Sequence, residues 1–278
     1  MAKNPVQKIV ITMIILSLIG LATSIYLVQN HYNPPLGGSG CDFGEVVSCS
    51  LVNTSIFSEL FGVSVALFGA LWFILLLIIL YKARKEPKKH ALTIFLWHIL
   101  GLLSVIYLVI AEFILQAICP YCTLVHIIII TQLILSFIIL KKLNIPLNIK
   151  KMLQQAKPWI ITVFLLSLLL IFAFNFSFGE KKNYDNIAKC ITEKNVVMYG
   201  SFRCGVCAKT REKFGDSFQY IKEIECHPQG ENPETERCLE KNIELTPTWI
   251  MEVDGQEIKR QVGYMTPEEL AVFSGCDV

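Results

Sequence analysis

Five stretches of this 278-residue chain are apolar over about the 20 residues that a helix needs to cross a bilayer. They run from Ile9 to Val28, Gly62 to Tyr81, Ala91 to Leu115, Ile118 to Leu140 and Trp159 to Phe178. Within lipid the backbone has no water to bond, so each stretch is expected to be a helix that satisfies its own N–H and C=O groups. The composition agrees, at 53% hydrophobic and only 17% charged residues, which a soluble protein of this size could hardly bury. After Gly179 the texture becomes that of one small, charged, soluble domain. The expected organisation is therefore a four-helix membrane domain over 1–145, a linker and fifth transmembrane helix over 146–180, and a soluble α/β domain over 181–278. A signal peptide is the competing reading of the first stretch, since Lys3 and Lys8 precede it. The run is longer than a signal core and no small-residue cleavage pattern follows before "VQNHYNPP", so a retained helix is expected.

Lys and Arg stay on the cytoplasmic side of a membrane protein. Before Gly179 they occur in three places: Lys3 and Lys8, the run "KARKEPKK", and Lys141, Lys142, Lys150, Lys151 and Lys157. Counting crossings puts all three inside. The segment from Gln29 to Leu60, the start of the fourth helix and the C-terminal domain then lie outside, with the N-terminus cytoplasmic in an inner or plasma membrane. Ordinary solvated loops suffice to explain these basic runs. A net charge of +2 suggests no nucleic-acid partner.

All ten cysteines fall in those three outer pieces and none in a helix interior or inner loop. Cysteines used only as small hydrophobes would be scattered. Their placement points instead to an oxidising compartment and disulfide chemistry.

"NVVMYGSFRCGVCAKTREKFG" reads as a buried strand, Val196 to Tyr199, a turn carrying Cys204 and Cys207, then a charged helix. A thiol at a helix N-terminus meets the positive end of the dipole, which favours the nucleophilic thiolate. Further on, Thr246-Pro247 precedes two alternating strands around an Asp254-Gly255 turn. From about Tyr184 onward this order resembles the thioredoxin family, and the resemblance implies that Pro247 is a cis-proline facing the dithiol. Half a zinc site is the competing reading of Cys204-x-x-Cys207, with Cys226 and His227 or Cys238 completing it. The strand–turn–helix context and Thr-Pro favour redox chemistry and no metal. Cys226 and Cys238 enclose the polar run "HPQGENPETER" and are expected to be a structural disulfide. Cys190 and Cys276 near the domain ends are a candidate second pair, although spacing alone does not determine connectivity.

The outer segment "GCDFGEVVSCSLVNTSIFSELFG" holds Cys41 and Cys49, and "AICPYCTLVH" holds Cys119 and Cys122 at the outer end of the fourth apolar stretch. With Ser55 following the loop pair, these motifs resemble the vitamin K epoxide reductase family, whose bacterial and archaeal relatives often carry a fifth helix and a fused thioredoxin-like domain. The resemblance implies a transmembrane four-helix bundle with a linking helix and a soluble thioredoxin-like α/β domain. It also implies redox roles for Cys41, Cys49, Cys119 and Cys122, and a quinone (ubiquinone or menaquinone) met by Ser55, Phe68, Cys122 and His126. Pro120 suits the first turn of a helix, and a dithiol at the hydrocarbon edge is within reach of a lipid-soluble oxidant. A staple between helices is the plainer reading of that pair. His126 lies one turn after Cys122, on the same face, where vertebrate relatives carry Tyr; an interfacial or helix-bonded histidine is the alternative. Val65 stands where the vertebrate enzymes have Asn, which weakens the case for epoxide chemistry. Glu112 reads as interfacial rather than as a proton relay. Trp72, Trp97 and Trp159 read as packing or interface residues, and the glycosylation-like triplet Asn53-Thr-Ser55 as a chance match.

The expected function is a DsbB-like, quinone-dependent thiol-disulfide oxidoreductase that generates disulfides in secreted or periplasmic proteins. Cys204, the exposed first cysteine, takes electrons from substrate thiols; Cys41 and Cys49 reoxidise Cys204 and Cys207; Cys119 and Cys122 pass the pair on, with Cys122 nearer the quinone. The Pro- and Gly-rich "NPPLGGSG" has the composition of a mobile loop. Two rivals are an exporter of reducing equivalents, whose cysteines should sit at mid-membrane depth, and a membrane-anchored chaperone with inert disulfides.

Overall fold

The structure, a computed structural model, describes residues 5–33, 35, 39–43, 46–177, 183–253 and 256–277. Lys3, the Gly179 boundary, the Asp254-Gly255 turn and half of the "NPPLGGSG" run lie outside the described residues. Along the chain the elements are α1 (Pro5–Tyr32), α2 (Cys49–Asn53), β1 (Glu59–Leu60), β2 (Val63–Ser64), α3 (Val65–Lys85), α4 (Pro87–Leu115), α5 (Pro120–Lys142) and α6 (Ile149–Ser177). They continue as α7 (Asp185–Glu193), β3 (Val196–Gly200), α8 (Gly205–Phe214), β4 (Lys222–Glu225), α9 (Thr235–Glu240), β5 (Thr248–Val253), β6 (Gln256–Val262) and α10 (Pro267–Ser274). Among the described residues, five helices are long and apolar enough to cross a membrane, and the C-terminal region is α/β.

The helix ends differ from the hydropathy boundaries for local reasons. The second span begins at Val65 rather than Gly62, because Phe61 and Gly62 take left-handed φ values of 52° and 74° and turn the chain between β1 and β2. The "KARKEPKK" run is largely helical: α3 continues to Lys85, Glu86 alone separates the helices, and Pro87 occupies the first position of α4. The fourth span starts at Pro120 rather than Ile118. The fifth starts at Ile149, well before Trp159, and carries Pro158 within it.

The chain forms two compact units that do not follow chain order. Met1–Gln29 and Phe57–Ser177 make the first; Asn30–Ile56 and Phe178–Val278 make the second. The first unit is a helical bundle whose core includes Met13, Phe73, Leu76, Ile79, Leu80, Trp97 and Ile139. Gly20 on α1 admits the Phe73 ring of α3, since a Cβ at 20 would lie 2.6 Å from Phe73 Cε1. A buried polar link ties three helices: His98 Nε2 lies 3.0 Å from Gln132 Oε1, and Gln132 Nε2 donates to Ser17 Oγ at 3.2 Å.

In the second unit the sheet order is β4-β3-β5-β6, with β3 parallel to β4 and antiparallel to β5. Both faces of β3 are covered. Val196 and Met198 pack with Ala188, Phe214 and Leu270 on one side, while Val197 and Tyr199 pack with Ile224 and Cys238 on the other. The expected alternation along β5 and β6 is absent: β5 is buried in a run from Thr248 to Ile250, as a central strand should be, and the edge strand β6 is largely exposed. Disulfides join Cys190 on α7 to Cys276 beyond α10, and Cys226 beyond β4 to Cys238 on α9. The run between Cys226 and Cys238 is not wholly loop, since α9 forms within it.

Candidate active site

The two Cys-x-x-C motifs are built alike. Cys119 is the N-cap of α5 and its Sγ accepts the Cys122 N–H at 3.1 Å. Cys204 is the N-cap of α8 and its Sγ accepts the Cys207 N–H at 3.0 Å. Each pair is joined as a disulfide, and each N-cap sulfur sits where unsatisfied helix N–H groups favour a thiolate once the bond is reduced. Within the motifs the exposure is opposite. Cys204 is half-buried and Cys207 fully buried, whereas Cys119 is fully buried and Cys122 half-buried.

In the first unit, α4 ends in a left-handed Gln116 and turns back into α5, which carries Cys119 to the end of the helix pair. Glu112, near the end of α4, accepts the Cys119 backbone N–H through Oε1 at 3.1 Å. The Tyr121 ring, inside the motif, meets Tyr26 of α1 edge-on at 5.0 Å between centroids. His126 is 5% exposed, and its Nε2 has no hydrogen-bond partner among the described residues. Phe68 is half-buried on α3.

In the second unit, Cys41 and Cys49 form a disulfide with Cα atoms 5.7 Å apart, and both are almost completely buried. Asp42 organises the segment around them. Its carboxylate accepts from the Ser39 N–H at 2.6 Å, Ser48 Oγ at 2.9 Å, the Ser50 N–H at 2.9 Å and Ser50 Oγ at 2.6 Å. Burial by itself would raise this carboxyl, but the bonds from Ser50, Ser39 and Ser48 outweigh it and hold Asp42 below the usual carboxylate range. Ser48 caps α2 by accepting the Leu51 N–H, so Cys49 is the first residue of a short helix. His31 Nδ1 donates to the Asn53 carbonyl at 2.6 Å and ties the other end of α2 to the end of α1. Ser55, also buried, donates its hydroxyl to the Val52 carbonyl at 2.9 Å.

Helix α2 packs on α8. A cleft of about 410 Å³ opens beside them, lined among others by Asp42, Ser50, Cys204, His227, Thr246 and Val262. The Thr246–Pro247 peptide is cis, and the Thr246 carbonyl oxygen lies 3.3 Å from Cys204 Sγ. Lys209 of α8 stands over the Tyr32 ring at 5.5 Å. The loop pair Cys41/Cys49 and the pair Cys204/Cys207 thus belong to one compact unit.

Residues 11–137 match the family described as the vitamin K epoxide reductase family. That stretch is a vitamin K epoxide reductase family domain. The matched residues include most of α1, the pairs Cys41/Cys49 and Cys119/Cys122, and Ser55, the motifs that carry the sequence resemblance, together with α2 and His126. The chain is also 29% identical over 89 residues to a protein of Arabidopsis thaliana named thiol-disulfide oxidoreductase LTO1. That similarity covers 28% of this chain and 24% of the relative, so the chain spans about a quarter of that protein's length.

Asp42 and Gly205 were not singled out in the sequence, and Glu112 was read as interfacial. A signal for Asp42 exists, in the serines at 39, 48 and 50 that surround it. None exists for Gly205 without knowing what packs against it.

Proposed function

We propose that the chain is a multi-pass membrane thiol-disulfide oxidoreductase that forms disulfides in exported proteins and disposes of the electrons to a membrane quinone. The C-terminal domain acts as the thioredoxin-like carrier. Its Cys204–Cys207 disulfide is attacked by a substrate thiolate at Cys204, the more exposed sulfur; a second substrate thiol resolves the mixed disulfide, leaving an oxidised substrate and a reduced domain. The Cys41–Cys49 disulfide reoxidises the domain by the same exchange, and Cys119–Cys122 reoxidises the loop. The observation that carries this function is the seating of α2, which starts at Cys49, on α8, which starts just after Cys204. Cys204 shares one cleft with Asp42, Ser48 and Ser50, the residues that flank the loop disulfide, a placement that two inert structural disulfides would not need.

A quinone fits the membrane-edge site because His126, one helical turn beyond Cys122, buries an Nε2 that has no partner among the described residues. When bound, a quinone supplies an acceptor for two electrons and two protons. His126 and Cys122 would hold it, with Phe68 and Ser55 as further contacts. The basic segments define the inside, so every cysteine pair works on the extracytoplasmic face.

The test is to reduce the purified protein, add ubiquinone or menaquinone, and follow the quinone spectrum. The parent should reduce quinone and Cys122→Ser should not. Cys41→Ser should strand Cys204 and Cys207 as thiols while quinone still binds. Reoxidation of the domain at the parent rate in Cys41→Ser rejects the relay, and labelling of Cys119 or Cys122 from the cytoplasmic side supports an exporter of reducing equivalents instead.

A further inference from the structure

The equivalent position in the two Cys-x-x-C motifs is filled by opposite residues. Pro120 and Gly205 are each the first residue of the helix that follows the N-cap cysteine. Proline is favoured there because its φ is already helical. Glycine is not favoured, since it brings excess backbone freedom to a position that any L-residue can occupy. Gly205 does not take a left-handed φ, so its backbone does not require glycine. The reason lies in what covers it. A Cβ at 205 would stand 2.8 Å from the Ser50 carbonyl oxygen and 3.0 Å from Leu51 Cα, and would collide with Thr54 Oγ1. Two of those neighbours are backbone atoms of α2. They cannot rotate away, because the Ser50 carbonyl is held by both the Thr54 N–H at 3.0 Å and Thr54 Oγ1 at 2.7 Å. Asp42 anchors the same residue from its other end through the Ser50 N–H and hydroxyl.

We propose that Gly205 is the notch that admits α2 to the first turn of α8, so that the residue at 205 determines whether the loop disulfide can reoxidise this domain. This rests on the relay proposed above and adds its specificity determinant. In the exchange, a thiolate of the reduced Cys204/Cys207 pair attacks a sulfur of the Cys41–Cys49 disulfide, and the other loop sulfur leaves as a thiolate. The remaining domain thiol then attacks the mixed disulfide and releases the second loop thiol. Two electrons and two protons pass from domain to loop. The attack needs its sulfurs nearly in line, and lifting α2 by the thickness of a methyl group moves Cys49 away from that path. A small dithiol approaching Cys204 from the open cleft is not subject to the same obstruction.

The experiment uses the full chain in detergent, with Gly205→Ala and Gly205→Val. Cys204–Cys207 is reduced by a brief pulse of dithiol peptide, the reaction is quenched in acid, and a mass-tagging maleimide reports each pair's redox state with time. The rate of domain-to-loop transfer is divided by the same variant's rate of disulfide reduction by dithiothreitol, which removes changes in intrinsic reactivity. The expected ratio for Gly205→Val is lower than the parent's by about tenfold or more, the scale of one overpacked contact, with Gly205→Ala between the two. A smaller loss in Gly205→Val overturns the proposal. Parent protein and Cys41→Ser are run alongside. If the parent domain reoxidises equally fast in Cys41→Ser, the relay itself has failed; if the parent depends on Cys41 and Gly205→Val transfers normally, only the notch has failed.

Discussion

Glu112 Oε1 accepts the backbone N–H of Cys119 at 3.1 Å, across the turn between α4 and α5. The carboxylate thereby positions the N-cap cysteine of the membrane-edge pair. Glu112→Gln keeps an acceptor for that N–H, whereas Glu112→Ala leaves it unmet. Quinone reduction by the pre-reduced protein should therefore fall by about tenfold in Glu112→Ala and stay within about threefold of the parent in Glu112→Gln. Equal losses in both variants would mean that the charge matters and the hydrogen bond does not.

His126, one helical turn beyond Cys122, has an Nε2 with no hydrogen-bond partner among the described residues. His126→Phe preserves a ring but removes the donor, so the KM for quinone should rise by about tenfold through loss of one buried hydrogen bond. Titration of Cys204–Cys207 with dithiothreitol should be unaltered. Unchanged quinone kinetics would make His126 a packing residue.

Asp42 makes the loop clamp sensitive to acid. Burial alone would raise its carboxyl, but hydrogen bonds from Ser50, Ser39 and Ser48 outweigh that and hold it below the ordinary value of 3.8. The folded state thus prefers the ionised form. Its contribution is fully present above pH 3.8 and disappears as pH falls through the lower folded value. Protection factors for hydrogen exchange over residues 46–53, corrected for the intrinsic pH dependence, should fall in that acid range in the parent. Asp42→Asn should have low protection already at neutral pH and show little further change on acidification.

The two disulfides outside the relay should differ in their effect on stability. Cys190–Cys276 closes a sequence separation of 86 residues and Cys226–Cys238 one of 12. Restriction of the unfolded chain assigns them about 4.6 and about 2.8 kcal/mol. Denaturant unfolding of the second unit, followed by the fluorescence of Trp249 buried in it, should show the larger loss for the Cys190→Ala/Cys276→Ala variant. The reverse order would show that local packing of α9, not chain entropy, dominates.

Much of this was legible in the residues. Hydropathy located the five long helices because lipid rewards a run of apolar side chains whatever their partners. The cysteine spacings and the Thr246-Pro247 pair lie in sequence-local motifs, so they could be read without a fold. The boundaries were less legible. Where α3 begins depends on left-handed Phe61 and Gly62, and where α6 begins depends on a polar first turn that hydropathy discounts. Glu112 was visible as a charge near a helix end, but its partner is a backbone N–H that carries no sequence signature.

The linear chain determined that there are apolar helices, a charged α/β region after them and cysteine pairs with redox spacing, because those properties depend on the chemistry of near neighbours. Only the folded chain decided that Asn30–Ile56 groups with the C-terminal residues, that Asp42 gathers Ser39, Ser48 and Ser50 around a disulfide, and that a glycine is needed at 205. The need for glycine at 205 is set by backbone atoms about 150 residues apart coming within van der Waals contact, and steric exclusion at that range is not encoded in any local pattern of side chains; the Asp42 cluster is short in sequence, but which serines reach the carboxylate depends on how the chain turns between them.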